Sequence, residues 1–128
     1  MVDFAQPILI VDDVHTMTRI VDAMLRKCGF SVIEQAHDAA TALQRIKEQP
    51  FLFVLSDREM PDMTGIDLVR AVRADAKIAY VPFIMMSASN EPKDAKAAIV
   101  AGANTFITKP FSQTTLRDVI ANLLRPPV

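Results

Sequence analysis

Short apolar runs alternate with stretches of helical periodicity along almost the whole chain. Pro7-Ile8-Leu9-Ile10-Val11 is continuous and rich in β-branched side chains, as expected for a strand covered on both faces. Asp12 and Asp13 end it. Met17, Ile20, Val21, Met24, Leu25 and Cys28 then recur at helical spacing and predict one inward stripe, with Gly29 in the stop position. Ser31 to Ala36 predicts a second strand. His37 to Gln49 predicts a second helix, with Ala39, Ala40, Leu43 and Ile46 facing inward and Pro50 ending it. Phe51 to Leu55 is the most apolar strand and leads into Ser56-Asp57. Pro61 to Gly65 reads as a loop, and Ile66, Leu68, Val69 and Val72 seed a third helix.

Val81 to Met86 predicts a fourth strand, with Pro82 near its start, where a missing N–H is tolerated. Glu91 to Ala101 predicts a short, alanine-rich helix with a weak apolar stripe. Its small residues bury little area, so it is expected to be the most mobile helix. Ala103 to Thr108 is a fifth strand, and Leu116, Val119, Ile120, Leu123 and Leu124 mark a closing helix before Pro126-Pro127. Five strand-helix units in series imply an α/β fold, a parallel sheet with helices on both faces. Connections are short and no linker interrupts them, so residues 1–128 are expected to form one domain.

Composition narrows the function classes. The chain has 128 residues, 51% of them apolar and 23% charged, a globular balance. A formal net charge of −1, with no basic run longer than Arg26-Lys27, gives no basis for nucleic-acid binding. No window approaches the roughly 20 apolar residues of a membrane span, and no secretory signal opens the chain. The single cysteine, Cys28, excludes an internal disulfide and fits a reducing compartment. A soluble cytoplasmic protein is the expectation.

In an open parallel sheet, ligands bind outside the carboxyl ends of the strands. Those ends carry Asp12 and Asp13, Asp57, Ser87 and Lys109. Each has an ordinary alternative: Asp12 or Asp13 as the cap of the first helix, Ser87 as a turn residue, Lys109 as a solvated surface lysine. Convergence favours chemistry. Three carboxylates sharing one rim repel unless a cation offsets them, and an all-oxygen site suits a hard divalent ion such as Mg2+. An Asp can act as a nucleophile that carries a phosphoryl group, with metal and Lys109 neutralising its oxygens and a Ser hydroxyl bonding one of them. Asp57 is the best nucleophile candidate, because it follows the most apolar strand near the sheet centre. His15 lies close to the rim at the start of the first helix; His37 reads as a surface residue. No GxGxxG, GxxxxGK[ST] or CxxC is present, so nucleotide and redox readings lack their motifs.

The segments ILIVDD, SDREMPDMTG, PFIMMSA and GANTFITKPF span most of the chain in order. In this combination the chain resembles a response-regulator receiver domain of two-component signalling, in particular the stand-alone kind typified by the chemotaxis regulator. The resemblance implies a flavodoxin-like (βα)5 fold with strand order 2-1-3-4-5 and no output domain. It implies a phosphoacceptor protein rather than an enzyme, one that catalyses its own phosphotransfer and dephosphorylation. Asp57 would accept phosphate from a histidine kinase or histidine phosphotransferase. Asp13, Asp57 and the backbone carbonyl of Glu59 would ligate Mg2+ directly, with Asp12 acting mainly through water. Lys109, followed by a cis bond to Pro110, would pair with Asp57 and then with the phosphoryl group. Ser87 would move to the phosphoryl group and Phe106 would swing inward. Residues 91–117 would then present a changed face to a flagellar switch, a kinase or a relay component, in a monomeric protein.

Several positions depart from the usual family pattern. Phe106 stands where the chemotaxis type has Tyr, and Ser87 replaces the commoner Thr but keeps the hydroxyl. Glu59 stands where Asn or Met is frequent and places like charge beside the pocket, within expected reach of a metal-bound water or Lys109. Ser89 occupies the other commonly tuned position. Two other classes compete. A Mg2+-dependent phosphatase with an aspartyl nucleophile would use Glu59 as general acid, but the chain has no room for a substrate cap. An inert receiver-like adaptor is disfavoured by the complete set of Asp12, Asp13, Asp57, Ser87 and Lys109.

Overall fold

The computed structural model describes residues 5–125. Ten elements alternate: β1 (Ile8–Val11), α1 (His15–Lys27), β2 (Ile33–Ala36), α2 (Ala39–Glu48), β3 (Phe53–Asp57), α3 (Gly65–Ala74), β4 (Phe83–Ser87), α4 (Pro92–Ala101), β5 (Thr105–Thr108) and α5 (Gln113–Leu123). The strands form one parallel sheet in the order β2-β1-β3-β4-β5. Pro126-Pro127, expected to follow the last helix, lies outside the described residues.

Period-two alternation along each strand splits the core into two layers. Leu9, Val11, Val54, Phe83 and Met85 face α2, α3 and α4, meeting Ala42, Ile46, Leu68, Val69, Val72 and Ala98. Ile8, Ile10, Phe53, Leu55, Ile84 and Met86 face α1 and α5, meeting Val21, Leu25, Leu116 and Ile120. This is why the inner strands are unbroken apolar runs.

The ladder, and not the apolar run, fixes strand ends. The third strand begins at Phe53 and extends through Ser56 and Asp57, because Asp57 pairs with Met86. The fourth begins at Phe83 and ends on Ser87, which pairs with Thr108. The second begins only at Ile33, and Val32 is 41% exposed at the sheet edge. Two inward assignments are corrected. Ile20 is 49% exposed, since Thr18 and Val21 take its place against the sheet. Ala42, not Ala40, completes the buried stripe of α2, whose first turn starts two residues later than expected, at Ala39.

α4 is the sparsest helix in apolar contacts. Ala98 is its one buried residue, Ile99 and Val100 are exposed, and no side chain caps its start. Among the described residues no helix is long and apolar enough to cross a membrane.

Candidate functional site

The parallel register brings the strand ends to one rim. Asp12 follows β1 fully buried, Asp13 follows it exposed, Asp57 closes β3 buried, Ser87 closes β4 buried, and Lys109 follows β5. Backbone bonds continue the ladder past the strands, from Arg58 N to Met86 O (2.8 Å) and from Lys109 N to Ser87 O (2.7 Å). The Lys109–Pro110 bond is cis. Behind Asp57, α3 starts on Gly65, where a Cβ would lie 2.3 Å from the Asp57 carbonyl oxygen and 2.8 Å from Met85 Sδ. Only glycine allows that approach.

Neither aspartate caps α1. Asp12 Oδ1 accepts from the N–H of Val14, the cap residue itself (2.9 Å), and no side chain makes a cap hydrogen bond to the start of the helix. Both carboxylates remain available to the pocket, where one carboxylate oxygen from each of Asp12, Asp13 and Asp57 lies within 4.8 Å of the others. Lys109 Nζ donates to Asp57 Oδ1 at 3.0 Å and lies 3.6 Å from Asp12 Oδ2, within ion-pair reach but too far for a hydrogen bond. Asp12 Oδ2 is therefore a buried side-chain oxygen with no hydrogen-bond partner.

The electrostatics follow from this crowding. Burial pushes the Asp57 carboxyl up to about 6; the Lys109 hydrogen bond opposes the rise, and the charges of Asp12 and Glu59 add to it. Burial also raises Asp12, against the pull of the Val14 N–H and Lys109. Burial alone would lower Lys109, but the hydrogen bond and charge of Asp57, then Asp12 and Glu59, outweigh it and leave a net rise. One ammonium serves three carboxylates, and an orphaned buried oxygen faces the same space. A hard divalent cation fits that donor set.

Ser87, Glu59 and Ser89 lie close by but are engaged with one another. The Ser87 hydroxyl donates to Glu59 Oε1 at 2.7 Å and accepts from the Ser89 N–H at 3.1 Å. Glu59 also meets Arg58 Nη1 at 3.2 Å, so its side chain pairs with Ser87 and Arg58 and not with Lys109. Ser89 Oγ hydrogen-bonds Asp94 of α4. Phe106 is half-buried against the layer that includes Met85 and Ala98.

Arg58 and Asp94, absent from the residues expected at the site, pair through guanidinium and carboxylate at 3.3 Å. The only signal was adjacency of an Arg to Asp57. His37, expected at the surface, is partly buried and stacks on His15 with ring centroids 3.7 Å apart. Burial and the charge of His15 lower its pKa, against Asp12 and Asp38.

Comparison with known proteins agrees with this geometry. The family described as the response regulator receiver domain matches residues 8–121. Chemotaxis protein CheY-3 of Vibrio cholerae is 43% identical over 111 residues, covering 87% of this chain and 85% of that protein. The solved structure of Vibrio cholerae CheY4 superposes with a TM-score of 0.85 at 29% identity, covering 93% of this chain and 98% of that one. A receiver domain of a Pseudomonas aeruginosa sensor histidine kinase is similar at a TM-score of 0.83 and 27% identity, covering 92% of this chain and 96% of that one. Its structure has a magnesium ion coordinated in the active site cleft. By the family match and these relatives, this chain belongs to the response regulator receiver domains of two-component signalling.

Proposed function

We propose that this receiver is a phosphorylation-dependent signalling switch in which Asp57 is the phosphoacceptor. The observation that carries the reading is the Asp57 carboxylate itself. It is buried at the end of β3, raised to about 6, held at 3.0 Å by Lys109, and set beside the unbonded Asp12 Oδ2. At neutral pH it is ionised yet more basic than an ordinary carboxylate, a suitable state for a nucleophile.

Asp57 attacks the phosphorus of a phosphohistidine on a histidine kinase or phosphotransferase. The new bond is carboxylate oxygen to phosphorus. The bond that breaks is phosphorus to imidazole nitrogen, which keeps the electron pair. Asp12, Asp13, Asp57 and the carbonyl of Glu59 would hold Mg2+; when bound, it supplies positive charge against the phosphoryl oxygens. Lys109 exchanges part of its pairing with Asp57 for a phosphoryl oxygen. Ser87 turns its hydroxyl from Glu59 to the phosphoryl group, and Phe106 moves into the space vacated. The readout is binding by a downstream protein at the face of α4, β5 and α5, where Ile99 and Val100 stand exposed.

Incubation with Mg2+ and acetyl phosphate tests the reading. Intact mass should rise by one phosphoryl group in the wild type and not in Asp57→Asn. No adduct, even with a histidine kinase present, would overturn the proposal. Multiple turnover of phosphomonoesters would favour the phosphatase alternative.

A further inference from the structure

α4 is held by neither of the usual devices. It buries Ala98 alone, and its cap residue, Glu91, makes no side-chain cap bond. Its first turn is instead tied to the pocket by a run of side-chain contacts. Ser87 donates to Glu59 Oε1 at 2.7 Å, and the same oxygen meets Arg58 Nη1 at 3.2 Å. The other terminal nitrogen of Arg58 lies 3.3 Å from Asp94 Oδ1, in the first turn of α4. Asp94 Oδ2 bonds the Ser89 hydroxyl, whose oxygen accepts from the Glu91 N–H at 3.2 Å. Arg58 is 27% exposed at its side chain and Asp94 18%, so the pairing is partly shielded from solvent.

We propose that Glu59 and Arg58 form a latch that holds the start of α4 in the resting state and is opened from the Ser87 end. Ser87 has one hydroxyl proton. Given to Glu59, it cannot reach a phosphoryl oxygen. When Ser87 turns to the phosphoryl group, Glu59 keeps only the exposed half of its contacts. Arg58 then loses its fixed partner, and Asp94 holds α4 through a bridge no longer anchored in the protein interior. A partner that binds α4 in the released position must, by linkage, favour Ser87 on the phosphoryl side. Arg58 and Glu59 are thus positioning residues acting through Ser87 and Asp94. The switching half rests on the phosphoacceptor function proposed above; the resting latch does not.

Amide hydrogen exchange of residues 94–97 reads the latch directly. In the unphosphorylated protein, Arg58→Ala and Glu59→Ala should each speed exchange there about three- to fivefold, the scale of a partly exposed ion pair. Exchange in α3 should not change, and Arg58→Lys should restore part of the protection. Beryllofluoride with Mg2+, a stable phosphoryl mimic, should speed the wild type by a similar factor and leave the two alanine variants nearly unmoved. Variants that exchange like the wild type would overturn the latch. Variants that exchange faster yet show the full wild-type response to beryllofluoride would overturn its coupling to Ser87. Failure of the wild type to form an acetyl phosphate adduct would overturn the phosphoacceptor reading and the switching half with it, while the unphosphorylated comparison still decides the latch.

Discussion

Two sets of aspartates sit at junctions between a loop and a regular element, and their surroundings treat them in opposite ways. Asp38 and Asp67 stand at the starts of α2 and α3. Asp38 accepts from the Thr41 N–H at 2.7 Å and the Thr41 hydroxyl at 2.9 Å, which lowers its pKa. Asp67 accepts from the Thr64 N–H in a reciprocal capping box, and those bonds lower its pKa too. Asp12 and Asp57 are buried at strand ends, and both are raised. In the caps, the ionised carboxylate satisfies donors that a helix start leaves free. At the rim, the ionised carboxylates face each other with one shared ammonium. The first set stabilises the fold when ionised; the second is ionised against burial first and against its neighbours' charge second.

Gly65 is where the two regions touch, and it gives the largest expected effect. It opens α3 directly after the Thr64 cap while pressing on the back of Asp57. A helical Gly→Ala change ordinarily stabilises by about 0.5–1 kcal/mol. Here the added Cβ would sit 2.3 Å from the Asp57 carbonyl oxygen and 2.9 Å from Arg58 Cα, both backbone atoms that cannot rotate away. Gly65→Ala should therefore destabilise by about 3 kcal/mol, read as a lower urea midpoint. An unchanged midpoint would show that cap and rim are not mechanically joined.

Asp57→Asn comes next and carries the opposite sign. A carboxyl raised to about 6 in the folded chain, from 3.8 unfolded, contributes stability that is present below 3.8 and lost as pH rises through 6. The uncharged amide escapes that loss. In metal-free protein Asp57→Asn should be more stable than wild type at neutral pH, with the advantage growing by about 1–2 kcal/mol between about pH 5 and about pH 7.5. Mg2+ should raise the wild-type melting temperature and narrow the gap. An advantage independent of pH would break the account of Asp57 as a carboxylate held ionised against burial.

How legible these regions were follows from what each depends on. Strand positions and helix faces rest on apolar periodicity, which the sequence displays openly, whereas the order β2-β1-β3-β4-β5 follows from the family resemblance and not from the pattern. The rim residues Asp12, Asp13, Asp57, Ser87 and Lys109 end or follow runs that could be read one strand at a time. Ile20 was misplaced because periodicity marks a stripe, not its edge, and Thr18 could be buried with its hydroxyl bonded to the His15 carbonyl at 2.8 Å. The Ser87–Glu59–Arg58–Asp94 contacts were not legible at all. They join two residues of one loop, a strand end and a helix, and no local spacing encodes them. The caps at Asp38 and Thr64 lay between these extremes, since both residue types are common in loops that cap nothing.

The smallest effect comes from Asp38, and it sharpens the comparison most cleanly because nothing catalytic lies in its bonds. Asp38→Ala leaves the Thr41 N–H without its acceptor and should destabilise by about 1 kcal/mol at neutral pH, a usual cost for a lost helix cap. The lowered pKa sets the window. Stability from this group is present above the unfolded value of 3.8 and disappears as pH falls through the folded value, so the gap from wild type should close in acid. Asp38→Asn separates charge from hydrogen bonding, because the amide oxygen still accepts from Thr41 but does not titrate. It should retain most of the stability and show little of the acid dependence. Thermal melts of Asp38→Ala and Asp57→Asn across one pH series should diverge from wild type in opposite directions at neutral pH and draw together in acid. Two curves displaced to the same side would mean that position relative to the sheet does not decide what an aspartate contributes.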